Sequence, residues 1–144
     1  MKAGLALALR LVLGAFWSWA GLTKIVGHFD AGPFLTAAVS RSTAAPEAVR
    51  LALSSAIVHL ALPNLAAVNL VVPCLELAAG LSILLGIATA WGIAGAAAMS
   101  MLFLMCGAVS TNPLLLFGAV LLALSHPYAR AWSLRASRSP DTAA

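Results

Sequence analysis

Apolar residues run along this chain in long stretches divided by short polar corners. Leu65 to Gly86, LAAVNLVVPCLELAAGLSILLG, carries a single charge, Glu76, at its middle. A helix rises about 1.5 Å per residue and a hydrocarbon core is about 30 Å thick, so about 20 apolar residues make one crossing. From Leu65 to Val109 no other charge occurs, and as one helix that stretch would extend about 67 Å, so it must fold back. The corner is expected at residues 86–92, where Gly86 can end a helix and Trp91 suits the headgroup belt. The second and third helices are therefore placed at about 66–85 and 90–109.

The first helix is expected over about 3–26. Arg10, Gly14, Trp17, Gly21 and Lys24 recur at helical spacing on one face. Glycines let a neighbouring helix approach closely, so this face should turn into a bundle. Lys24, near the helix end, should snorkel to the headgroups. A secretory signal would start similarly, but Arg10 interrupts the apolar run, which continues to Val26; an uncleaved first span is the reading.

Residues 27–64 are more polar and contain Pro33, Pro46 and Pro63. They read as an interfacial segment, with a helix from about Pro46 to Leu62 at the bundle mouth. Asn112 and Pro113 suit the start of a fourth helix, as side-chain cap and first residue, running through about 113–132. Tyr128 and Trp132 fall where an aromatic belt belongs, and 133–144 reads as a flexible tail.

Composition turns this pattern into a class. The chain is 62% hydrophobic and 8% charged, against about 25% charged in soluble domains. The fold class expected is all-α, an integral membrane four-helix bundle with a short interfacial helix between its first two spans. The net charge of +4 comes from basic residues scattered singly, which does not suggest nucleic-acid binding. Lys2, Arg130, Arg135 and Arg138 flank one side, and Lys24, Arg41 and Arg50 the other, favouring cytoplasmic termini. Cys74 and Cys106 lie in apolar runs without a CxxC pairing and read as buried free thiols.

The chemistry worth weighing concentrates on few residues. A carboxylate deep in an apolar span must be neutralised or paired. On these spans Arg10 and Glu76 lie at depths of about 10 and 15 Å, which makes them the expected ion pair. The pair reads either as a lock between two helices or as part of a charged pocket, with Glu76 as a proton acceptor. Trp17 shares the Arg10–Lys24 face and reads as bundle core or as the wall of a pocket for an aromatic ligand such as a quinone. His28 and His59 have no second ligand at helical spacing, so no metal site is expected. No GxSxG, HExxH, Walker or Rossmann pattern occurs.

Three segments carry a resemblance: LRLVLGAFWSWAGLTKI, VVPCLELAAGLSILLGIAT and STNPLLLFGAVLLAL. Together they resemble the DoxX/DoxD family of small four-helix prokaryotic membrane proteins. That family's pattern is an early arginine, a glycine–lysine pair closing the first helix, and a glutamate followed by glycines in the second. Arg10, Gly21, Lys24, Glu76, Gly80 and Gly86 match it. The first two helices also look similar to MauE proteins, without their cysteine-rich ending.

The resemblance implies a multi-pass subunit in the inner membrane, associated with a redox system. The DoxD branch belongs to thiosulfate:quinone oxidoreductase; DoxX relatives accompany thiol or oxidative-stress enzymes. Here the outer loop offers few polar groups for a substrate anion, so thiosulfate chemistry is not expected of this chain alone. The expectation is a subunit of a quinone-linked or other respiratory complex, at most part of a membrane oxidoreductase. Its partners would be the bilayer and other membrane subunits, and Arg10, Trp17, Lys24 and Glu76 would line a quinone or small-ligand pocket. Two alternatives are a purely structural accessory subunit and a small proton-coupled transporter.

Overall fold

A computed structural model describes residues 2–42 and 55–129. These are all-α, with no strand among them. The helices are α1 (Lys2–Val26), α2 (Gly32–Ser42), α3 (Leu65–Leu85), α4 (Thr89–Met105) and α5 (Asn112–Ala129). A wide π-helical turn at Ile57–Ala61 and a tight 3-10 turn at Leu62–Asn64, which contains Pro63, lead directly into α3. Two stretches, Gly4–Val26 and Ile57–Leu85, are long and apolar enough to cross a membrane; α4 and the Asn112–Ser125 part of α5 are apolar but shorter. Most of the helix expected over 46–62, together with Trp132 and the 133–144 tail, lies outside the described residues.

The four long helices pack around one core, α1 against α3 and α5, and α4 between α3 and α5. Leu13, Trp17, Ile83, Ala96 and Leu122 meet at its centre. The predicted glycine face makes the closest of these contacts. A methyl group at Gly14 would lie 2.6 Å from the Leu84 nitrogen, and one at Gly21 would lie 2.7 Å from the Pro73 carbonyl oxygen. From the other side, a methyl on Gly80 would run into the backbone of Trp17 and Ser18. The three contacts step in opposite directions along the two helices, so α1 and α3 are antiparallel with Gly14 opposite Leu84 and Gly21 opposite Leu77.

The corners are tighter than expected. Gly86 adopts φ 73° and ends α3, and Ser82 Oγ donates to the carbonyls of Ile87 and Ala88 at 2.7 and 3.1 Å. The turn therefore occupies only residues 86–88. Helix α4 ends at Met105 rather than near 109, because Gly107 turns left-handed at φ 88° and the Ala108 N–H reaches back to the Phe103 carbonyl. Helix α5 carries on through Pro127 to Ala129. Cys74 is exposed on α3 instead of buried, because it lies off the face that Pro73, Glu76 and Gly80 turn inward.

If backbone contact at the glycines holds the α1–α3 register, Gly21→Ala should lower stability by about 1–3 kcal/mol. Gly4→Ala, where nothing lies within 4 Å, is the control and should change little. Unfolding of the detergent-solubilised chain with rising SDS fraction measures both.

Candidate functional site

The site lies where α1, α4 and α5 approach their ends beside the middle of α3. There Lys24 Nζ donates to Glu76 Oε1 in an ion pair. Glu76 is 1% exposed and Lys24 28%. The ammonium also stands over two rings, 5.3 Å from the Phe29 centroid and 5.1 Å from that of Phe103. Such cation–π contacts strengthen when water is excluded. The cation thus has a carboxylate and two aromatic faces as its surroundings, and it does not snorkel outward as its position in the sequence suggests.

The pairing corrects the expected Arg10–Glu76 bridge. That expectation aligned the start of α1 with the end of α3. In the observed register Glu76 lies opposite Leu22, and Arg10 lies opposite the 86–88 corner. The two are about 18 Å apart along the helix axes, farther than an arginine side chain extends. Arg10 is buried, 4% exposed, at the other end of the bundle.

A segment between α1 and α2 closes the site from above. His28 takes a left-handed φ of 53°, and the Phe29 N–H returns to the Lys24 carbonyl at 3.0 Å, ending α1. Asp30 Oδ1 accepts from the Gly32 N–H at 2.9 Å and so starts α2. Asn69 of α3 fastens this turn: its Oδ1 accepts from the Ala31 N–H at 2.8 Å. A small apolar cluster of Ala31, Leu35, Ala38 and Ile57 then seats α2 against the turns leading into α3. This holds Phe29 against the ion pair and Phe34 in the wall beside it.

Beneath lies a cavity of about 350 Å³, within the usual range for small-ligand sites. Helix α1 contributes Phe16, Trp17, Ala20 and Lys24 to its wall, and α3 contributes Glu76. Phe29, Phe34 and Phe103 add rings; Ala108, Thr111, Asn112 and Leu115 complete the lining. Asn112 is not the side-chain cap expected of it: it is the first residue of α5, and its Nδ2 donates to the Ala108 carbonyl at 2.7 Å. Two buried polar atoms on residues of this wall have no hydrogen-bond partner, Glu76 Oε2 and Trp17 Nε1. Buried polar atoms are normally satisfied, so each orphan needs an explanation.

Of the four residues expected to share a pocket, Trp17, Lys24 and Glu76 come together and Arg10 does not. Trp17, 2% exposed, is both core and wall. Phe29, Phe34 and Phe103 escaped the sequence reading. The first two are brought in by the Asp30–Asn69 turn, and Phe103 lies within a methionine-rich run that reads from sequence as adaptable core or lipid contact. Among the described residues no three of His, Cys, Asp and Glu come together as a metal site. Family models, curated proteins and solved structures yield no match to this chain.

Removing one member of a buried ion pair strands the other, at a cost of about 3–5 kcal/mol, whereas removing both is far milder. Lys24→Met should therefore destabilise the chain by that order in SDS unfolding. Adding Glu76→Leu to it should recover most of the loss. Equal losses in the single and double variants would mean that the two groups are not coupled.

Proposed function

We propose that this chain is a DoxX-like, four-span membrane subunit that holds a small neutral ring compound, a quinone foremost, within a redox-linked assembly. The bilayer part of the reading is supported by composition and by the outward faces. Leu5, Val12, Trp19, Leu70, Trp91, Leu114 and Leu124 are all exposed, which lipid would cover and water would not favour. The antiparallel succession brings Lys2 and Ala129 to one end. With Arg130, Arg135 and Arg138 following in the sequence, that end is assigned to the cytoplasm of a prokaryotic inner membrane.

The ligand part rests on one observation: an aromatic-walled cavity whose two charges cancel each other. Lys24 is committed to Glu76, so an anion such as thiosulfate would find no free positive charge there. A flat neutral ring would meet Phe16, Phe29, Phe34 and Phe103. Glu76 serves in this reading as anchor for Lys24 and as contact for the ligand.

A second reading, a purely structural accessory subunit, draws on a groove of about 300 Å³ between α4 and α5. Its wall is small and apolar, including Ala90, Ala94, Ala97, Ala119 and Ala123, the kind of surface that packs closely on another span.

Purification from native membranes in mild detergent, followed by solvent extraction, separates the two. Close to one quinone or comparable ring compound per chain is expected, with the yield falling at least about fivefold in a Glu76→Leu, Trp17→Phe double variant. A stable larger complex carrying no small molecule in this chain would favour the accessory reading. Uptake of a solute driven by a proton gradient in proteoliposomes would overturn both in favour of transport.

A further inference from the structure

Lys24 brings a primary amine to the wall of an open cavity, and the groups around it suit carbonyl chemistry. Its Nζ is part-exposed and donates to Glu76 Oε1. The rings of Phe29 and Phe103 flank the nitrogen at 5.3 and 5.1 Å. Phe16, Ala20 and Leu115 are also in the wall, so what enters must be largely apolar. A nucleophilic amine with a carboxylate base in hydrogen-bond reach, beside space for a small molecule, is the arrangement of covalent amine chemistry. We propose that Lys24 is a Schiff-base site for an apolar aldehyde, with Glu76 as proton carrier during the reaction and counter-ion afterwards. This needs the cavity to admit a small molecule and does not depend on a quinone being its ligand.

The reaction balances within the site. Glu76 takes a proton from the Lys24 ammonium, and the freed amine adds to the carbonyl carbon. A second proton passes from the nitrogen to the carbonyl oxygen, giving a carbinolamine. Glu76 then returns its proton to that hydroxyl, which leaves as water while the C=N bond forms. Ammonium and aldehyde have become iminium and water, with no net proton taken up or released. The nitrogen stays positive, so Glu76 keeps its partner and both rings still face a cation. Acylation of the same amine would do the opposite. An amide is neutral, and forming one would strand the buried Glu76 without an opposite charge. The site thus distinguishes electrophiles by whether they leave the nitrogen charged.

The chain supplies its own reference, since Lys2 is the only other lysine and begins α1 at the far end. The test treats the full chain in mild detergent with octanal plus cyanoborohydride, or with succinimidyl octanoate, so that both reagents carry the same tail. Peptide mass spectrometry then reads labelling at each lysine. The Lys24-to-Lys2 ratio is expected to be at least about tenfold higher with the aldehyde than with the active ester. In Glu76→Gln no carboxylate remains to carry a proton or to be stranded, and the two ratios should converge to within about threefold. Equal ratios on the native chain, or a higher ratio with the ester, would overturn the proposal, as would absence of octanal label from Lys24. The native chain decides the matter even if the variant fails to fold. The two readings of the cavity also fail separately, because quinone extraction bears on the ring ligand and lysine labelling on the amine.

Discussion

One buried carboxylate with one lysine governs this molecule. In an apolar span an ionised group persists only if an opposite charge and hydrogen bonds replace the water it has lost. Lys24 supplies the charge, and Phe29 and Phe103 in turn surround Lys24. The pair therefore joins α1 to α3 directly and recruits the interhelical turn and α4 through the rings. Three residues of the cavity wall, Glu76, Phe29 and Phe103, thus hold that lysine in place.

Which cation reaches Glu76 is decided by backbone contact. Gly14, Gly21 and Gly80 let α1 and α3 touch main chain to main chain, and that contact fixes how far one helix slides along the other. A slide of one turn would move Lys24 by about 5 Å and break the bridge. The glycines and the ion pair are thus two statements of one register, the first made by van der Waals contact and the second by charge. Agreement between independent local preferences of this kind is what singles out one packing among many.

This also explains what could be read without coordinates. The inward face of α1 was legible, because helical period alone puts Arg10, Gly14, Trp17, Gly21 and Lys24 in line. The special place of Glu76 was legible too, from one charge in a long apolar run. Its partner was not. Depth estimated from helix ends assumes that neighbouring helices start level, and α1 begins well beyond the end of α3. The roof of the site was equally hidden, since it depends on Asn69 meeting the Asp30–Ala31 turn across 38 positions of sequence. Helix ends drifted for a third reason: left-handed residues such as Gly107 and Ala88 stop helices inside stretches that stay apolar throughout.

The placement of the site at the end of the bundle follows from the same physics. At the centre, Leu13, Ile83, Ala96 and Leu122 fill the space between the helices. Near the α1–α2 turn, three helices finish while α3 continues upward into the turns at 57–64. The space left beside α3 cannot be filled by helix-to-helix packing, because the helices that would fill it have ended. It is roofed instead by Phe29 and Phe34, whose flat rings cover area without supplying polar partners. That combination of an unavoidable gap, an aromatic wall and a self-cancelled ion pair is why this chain leaves an open pocket there rather than only a core.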